Sequence, residues 1–354
     1  MKAAVWHGPR DIRVEQYPDP PPPGPGELRV AVAYAGICGT DVHEYLSGPV
    51  FIPFDRPHPL TGHKGPTILG HEMSGTVLEV GPGVTGFAPG DRVVSDIVLY
   101  CGQCHMCRRG LTVLCVKGGS LGLQSATGGF GQYVTMPAYS AYKLPPEIPL
   151  DIGAMVEPLA TSIRGLRQGR ITPGDRVGVV GAGAIGLFGL QAARLGGARE
   201  VYMIARGEEK KRIAAQVGAT AVIDSEDRPI EEIYDLTDGE GLDLVLEAAG
   251  TEAGVSLALR AAGKTGRVVL LGIFGSPAKT DLNELVFYEK EVIGSLGRYP
   301  RDMRTAMSYL ASGRVQAQPL IARRVPLDAI VEQGFEALVN ERGRHVKILV
   351  AVGA

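Results

Sequence analysis

The run Asp175-Arg176-Val177-Gly178-Val179-Val180 leads directly into Gly181-Ala182-Gly183-Ala184-Ile185-Gly186, and residues 185–195 then carry a helical apolar pattern. A short apolar strand, a glycine turn and a helix, in that order, open a dinucleotide-binding βαβ unit. The first glycine permits the tight turn, the second lets the backbone approach a pyrophosphate, and the third allows close helix–strand packing. The helix N-terminus adds free N–H groups and a positive dipole end for the phosphates. The motif taken alone could be a bland Gly-rich turn; its context decides. Strands at 201–204, 221–223, 242–247 and 267–271 alternate with helices at 208–217 and 253–261, which predicts a doubly wound parallel sheet.

The end of the second strand should carry an acid for the ribose 2′-OH, about 20 residues past the glycines. Counting on from Gly186 reaches Ala205 and Arg206, with Lys210-Lys211 one turn later. Without a carboxylate nothing repels a 2′-phosphate; Arg206 offers a planar charged fork and Lys210 a point charge. NADP(H) is therefore expected in preference to NAD(H), with NAD still possible. Ordinary solvated helix-start cations are the competing explanation.

The first 150 residues have a different texture, rich in Gly and Pro, with short β-branched runs at 28–34, 75–80 and 91–95. Turn signals at 20–25, Pro82-Gly83 and Pro89-Gly90 separate them, pointing to a β-rich domain of irregular connectivity. Residues 45–68 hold many Pro, Gly and His without periodicity, and read as a loop over a site. Beyond residue 299 come helices at 303–312 and 329–339 and a strand at 346–350.

A length of 354 residues suggests about two domains. With 45% hydrophobic and 21% charged residues the chain is globular, and 36 basic against 38 acidic side chains leave −2, which argues against a dedicated nucleic-acid or anionic-membrane binder. No apolar run approaches the roughly 18 residues of a membrane span, and the apolar stretch near Met1 is too short for a signal peptide. A cytoplasmic location is expected, where the five cysteines read as metal ligands, catalytic groups or inert core.

Four of those thiols fall in Cys101-x2-Cys104-x2-Cys107-x7-Cys115. Such spacing can wrap one tetrahedral ion, and a closed all-cysteine shell suits structural zinc. An iron–sulfur cluster is the rival, but the bacterial run has three residues before its last Cys and then Pro, whereas here Val116 follows Cys115. A nucleic-acid zinc module beside Arg108-Arg109 is a further alternative. The fifth thiol, Cys38, together with His71, Glu72 and Glu157 from scattered turns, could form a zinc shell that leaves a position open for substrate. The alternative is an inert core thiol, a satisfied histidine and a solvated glutamate.

Gly36-Ile37-Cys38-Gly39-Thr40-Asp41-Val42-His43, Gly70-His71-Glu72, the four-cysteine lobe and the GAGAIG turn together resemble the zinc-dependent medium-chain alcohol and polyol dehydrogenases. The likeness covers essentially the whole chain. Glu44-Tyr45-Leu46-Ser47-Gly48-Pro49, His58-Pro59-Leu60-Thr61-Gly62, Val156-Glu157-Pro158-Leu159-Ala160, Pro319-Leu320-Ile321 and Gly334-Phe335-Glu336-Ala337-Leu338 are most similar to the (R,R)-2,3-butanediol branch. The resemblance implies an α/β chain in three parts: a GroES-like catalytic domain at 1–157 with a structural zinc lobe at about 98–118, a Rossmann domain at 158–295, and a return to the catalytic domain at 296–354. It implies two zinc ions per chain, with Cys38, His71, Glu72 and Glu157 around the catalytic one and Asp41 orienting the histidine. Thr40 and His43 match a proton relay and Thr161 a residue beside the nicotinamide. The implied reaction passes hydride between the cofactor and a small alcohol or ketone. A vicinal diol or acyloin is the expected substrate, with sugar alcohols, cyclitols and L-threonine as alternatives. A non-catalytic dinucleotide-binding or structural protein is the reading from a different class. A homo-oligomer, tetramer or dimer, follows by analogy. The departure is Ala205-Arg206, where many relatives carry an acid.

Overall fold

The computed structural model describes residues 1–341 and 343–353. Its parallel sheet has the order Ala221–Asp224, Glu200–Ala205, Arg176–Val180, Leu242–Glu247, Ala262–Leu270, Glu291–Gly294. Three of the four inner strands read as near-continuous apolar runs, and Ala262–Leu270 does so at its Val268-Val269-Leu270 end, because helices cover both faces; Val177, Val179, Leu244 and Leu246 are fully buried. Strand order reverses between Arg176–Val180 and Leu242–Glu247, so a crevice opens there at the carboxyl ends of the strands, where ligands bind in such sheets. The helix Ala184–Leu195 begins at this crevice. Several elements have no counterpart in the sequence reading, among them helix Val156–Gln168, strand Glu291–Gly294 and helix Pro229–Leu236. Strand Glu291–Gly294 is short and largely exposed and carries no periodic signal, whereas helix Pro229–Leu236 spaces Ile230, Ile233 and Leu236 along one face, a signal the sequence reading passed over.

The β-rich part is a sheet ordered Ala141–Lys143, Arg92–Ser95, Glu72–Val80, Glu27–Gly36, Lys347–Ala351, Ile321–Pro326, with Tyr133–Pro137 also paired to Glu27–Gly36. A separate hairpin, Lys2–Gly8 with Asp11–Gln16, is joined by Thr67–Ile68. Trp6, Phe130 and Phe335 fill the core between them.

The chain's last segment divides. Strand Lys347–Ala351 lies antiparallel to Glu27–Gly36, with Leu349 opposite Gly36 and Val350 opposite Ala35. Helix Pro300–Ala311 instead packs Met303, Ala306 and Met307 into the core shared with Leu159, Ile163 and Leu166 of helix Val156–Gln168. The helix expected at 329–339 is a widened π-type turn over Ile330–Glu336 followed by a short α-helix, Ala337–Asn340. Gly334 sits there because a methyl on it would meet Ile37 Cδ1 at 2.7 Å.

Of the segment read as a loop at 45–68, Tyr45 to Ser47 end helix Gly39–Ser47, and Thr67–Ile68 is a strand. Between them the backbone is irregular, and the buried Glu44 holds it, accepting the amides of Val50 at 2.9 Å and Ile52 at 3.2 Å.

Candidate active site and metal centre

Cys38 caps helix Gly39–Ser47, and Asp41, on the first turn of that helix, is completely buried. One Asp41 oxygen accepts the Cys38 amide at 2.9 Å; the other lies 3.3 Å from the Gly70 amide and 3.2 Å from His71 Nδ1. The last is a charge contact, and Nδ1 has no hydrogen-bond partner among the described residues. A single carboxylate thus fixes the turn bearing the thiol, the turn before His71 and the imidazole itself. Burial opposes charging the ring, yet the Asp41 and Cys38 charges outweigh it and hold His71 well above the ordinary imidazole range. Thr40 Oγ1 is 3.7 Å from Cys38 Sγ.

The two candidate carboxylates stand close by, but each is engaged by a cation that sequence reasoning missed. Both Glu72 oxygens accept from Lys347 Nζ, at 2.7 and 2.6 Å, and that ammonium also donates to the Ile37 carbonyl at 3.0 Å. Burial raises the Glu72 carboxyl while the Lys347 charge pulls it down. Glu157, in the first turn of helix Val156–Gln168, accepts from Arg298 Nη1, whose Nε bonds Asp96 at 3.0 Å. Burial pushes Asp96 up to about 6 against the pull of Arg298. Cys38, His71, Glu72 and Glu157 therefore share a neighbourhood without closing round one point as the expected four-ligand shell. Anionic carboxylates so deeply buried need cationic partners, and Lys347 and Arg298 supply them. The signal for Lys347 was present: one charge at the head of the apolar strand Lys347-Ile348-Leu349-Val350-Ala351.

The four-cysteine lobe does close. The ligand atoms of Cys101, Cys104, Cys107 and Cys115 all lie within 4.8 Å of one another, the one such group among the described residues. The separations are 3.5 Å for Cys104–Cys107 and Cys115–Cys101 and 3.9 Å for Cys104–Cys115. A tetrahedron with metal–sulfur bonds of about 2.3 Å has edges of about 3.8 Å, so the thiols fit a zinc ion. The amides of Cys101, Cys104 and Cys107 point at sulfurs. Backbone N–H groups of Cys107 and Val116 bring Cys104 down to about 6, and burial raises Cys107 to about 12.

At the glycine turn each position has its own steric demand. Gly181 has φ +100°, and a methyl on Gly186 would sit 1.9 Å from the Gly181 carbonyl oxygen. A methyl on Gly183, which caps the helix that Ala184 and Ile185 begin, would meet nothing within 4 Å, leaving the room a pyrophosphate needs. Thr161 lies on helix Val156–Gln168, its hydroxyl donated to the Glu157 carbonyl. The neighbouring Ser162, which sequence reading passed over, donates to the Ile185 carbonyl at 2.8 Å and ties that helix to the turn. His43 faces the loop after strand Ala262–Leu270: a methyl on Gly275 would lie 4.0 Å from its Cε1.

Strand Glu200–Ala205 ends on the buried Ala205. Arg206 is exposed, with Glu226 at 3.5 Å. Lys211 is committed to Asp224 and Glu208, while Lys210, lowered by burial and by the Arg206 charge, has no ion pair among the described residues.

Residues 24–146 match the alcohol dehydrogenase GroES-like domain family, and residues 184–312 match the zinc-binding dehydrogenase family. The chain belongs to the zinc-binding alcohol dehydrogenases. It is 37% identical over 351 residues to the (R,R)-butanediol dehydrogenase of Bacillus subtilis, covering 99% of each chain. The crystal structure of 2R,3R-butanediol dehydrogenase from that species superimposes with a TM-score of 0.90 over 99% of each chain. An L-threonine 3-dehydrogenase of Bacillus licheniformis is 36% identical, covering 93% of this chain and 92% of its own. A zinc-binding dehydrogenase of Sinorhizobium meliloti, solved bound to NADP, is 33% identical with a TM-score of 0.85, over 99% of this chain and 98% of its own. Like these dehydrogenases the chain is an oxidoreductase of alcohols, and none of its described helices is long and apolar enough to cross a membrane.

Proposed function

We propose that this dehydrogenase interconverts vicinal diols and acyloins, such as 2,3-butanediol and acetoin, using NADP(H) in preference to NAD(H). The chemistry rests on the Asp41 hub, which binds the Cys38 turn and the His71 ring to one buried carboxylate. Cys38 and His71, with Glu157 or Glu72 as the carboxylate, would hold the zinc ion, which would supply a Lewis acid for the substrate oxygen. Asp41 engages the Nδ1 edge of His71 and so leaves Nε2 as the ligating nitrogen. Thr40 takes the alcohol proton and His43, on the side facing the Gly275 loop, passes it outward. Thr161 borders the nicotinamide. Gly181, Gly183 and Gly186 seat the pyrophosphate, and Arg206 and Lys210, in place of an acid, take the 2′-phosphate. Full-length similarity to a butanediol dehydrogenase supports the substrate class; similarity to a threonine dehydrogenase makes L-threonine the first competitor.

Cys101, Cys104, Cys107 and Cys115 would hold a second zinc, which would give two per chain. The protein is a cytoplasmic homo-oligomer, dimer or tetramer. Free thiols fit the reducing compartment. The exposed edge strand Glu291–Gly294 beside Val286 at 71%, Phe287 at 73% and Leu296 at 58% exposure offers a second copy an apolar face.

The test is a panel of diacetyl, acetoin, 2,3-butanediol, L-threonine and sugar alcohols with both cofactors, alongside metal analysis. Acetoin turnover with NADPH and about two zinc ions per chain is the expected result. Cys38→Ser should abolish turnover and spare NADPH binding. Activity retained in that variant rejects a zinc-centred reaction, and a metal-free, inert wild type favours a binding protein.

A further inference from the structure

Glu247 ends strand Leu242–Glu247, on the far side of the sheet's crevice from the glycine turn, and is completely buried. Its Oε1 accepts the amides of Ala249 and Gly250, both at 2.9 Å, and its main-chain carbonyl accepts those of Leu271 and Gly272 at 2.8 and 3.0 Å. The two turns it grips are packed backbone to backbone. A methyl on Gly272 would lie 2.3 Å from the Gly250 nitrogen and 2.6 Å from Glu247 Oε2; one on Gly250 would lie 2.6 Å from the Ile273 carbonyl oxygen.

The first of these turns also supports the glycine turn. Ala248 N donates to the Val180 carbonyl at 2.9 Å, and a methyl on Gly181 would stand 3.0 Å from Ala249 N. Glu247 thus lies where three backbone segments border the crevice: its carboxylate holds 249–250, its main-chain carbonyl holds 271–272, and the adjoining Ala248 amide holds 180. Oε1 satisfies the amides that shape the crevice wall, while Oε2 is buried without a hydrogen-bond partner among the described residues.

We propose that Glu247 is a positioning residue for the dinucleotide: its carboxylate fixes the 248–250 turn, which is packed between the glycine turn and the turn at 271–273, and so the fit of the pyrophosphate–nicotinamide half of the cofactor. The proposal rests on the dinucleotide reading of the glycine turn. Glu247 itself touches no reacting atom, so its loss acts through geometry.

Removing the carboxylate leaves two buried amides without an acceptor, and misplaces the wall against which Gly181 packs. In Glu247→Ala the dissociation constant for NADPH, read by fluorescence, and its KM should rise about tenfold, while kcat at saturating cofactor and the KM for acetoin change less than about twofold. Glu247→Gln keeps one carbonyl oxygen for both amides and should restore cofactor binding to within about twofold of wild type. Glu247→Asp, shorter by a methylene, should behave like the alanine variant, and carries the test should alanine fail to fold. A lowered melting temperature in the alanine or aspartate variant with an unchanged NADPH dissociation constant overturns the proposal, since only a structural role would give it. A wild type that binds neither NADPH nor NADH refutes the dinucleotide reading, and with it the proposal.

Discussion

Replacing Lys347 by Met keeps the length and apolar packing of the side chain but removes the partner of Glu72. Both residues are deeply buried, at 3% and 1% exposure, and the ammonium contacts both carboxylate oxygens, at 2.7 and 2.6 Å. At an effective dielectric constant of about 20, two charges at such a separation attract by about 6 kcal/mol. Their shared desolvation offsets part of that, and removing one partner of a buried pair costs about 3–5 kcal/mol because the other charge stays behind. At about 2 °C per kcal/mol for a chain of this size, the melting temperature should fall by about 6–10 °C at pH 8. The pH dependence has a definite sign. Burial already raises Glu72 above its ordinary carboxyl range against the pull of Lys347, and without the lysine it rises further. A carboxyl raised in the folded state contributes stability that is present below its unfolded value and lost as pH climbs through its folded one. The deficit should therefore shrink as the pH falls from 8 to 5. Adding Glu72→Gln should recover most of it, because no buried charge is left. Thermal unfolding by circular dichroism across that pH range is the assay. A Lys347→Met protein melting within about 2 °C of wild type at pH 8 would refute the account of this pair as a buried charge compensation.

Arg206→Ala should lower kcat/KM for NADPH at least about tenfold, the loss of one charge-assisted contact, and leave NADH nearly untouched; steady-state kinetics with both cofactors decides it, and a wild type that favours NADH rejects the specificity assignment. Cys104→Ser opens the sulfur tetrahedron, so metal analysis should give about one zinc per chain in place of about two, with a lower melting temperature. His43→Ala should slow turnover by about a hundredfold, the scale of a lost proton-transfer group, with partial recovery on adding imidazole; an unchanged rate removes His43 from the relay.

Much of the molecule is readable from its residues because the decisive constraints are local. Gly181, Gly183 and Gly186 stand where a tight turn, an open space and a carbonyl, in that order, demand them, and the spacing of Cys101, Cys104, Cys107 and Cys115 brings four sulfurs together within one short lobe. The strand at 242–247 was legible from its apolar run alone. Strand Glu291–Gly294 was not, because a short exposed element has no periodic pattern to read, whereas helix Pro229–Leu236 carries an apolar spacing at Ile230, Ile233 and Leu236 that the sequence reading passed over. The helix at 329–339 was placed correctly along the chain but not in kind, since most of it is a widened π-type turn.

The candidate site divides along the same line. By itself the sequence determined which residue types could ligate metal, where a dinucleotide phosphate would rest, and that no acid follows the second strand to select against a 2′-phosphate; each depends on neighbours within a few turns of chain. Only the tertiary structure decided how the carboxylates are neutralised. It delivers Lys347 on the last strand to Glu72, and Arg298 to Glu157 and Asp96, because desolvated anions require countercharges and the fold supplies them from whichever segment ends nearby. It likewise sets Glu247 across the crevice from Gly181, a meeting between two parallel strands that is created only when the sheet forms.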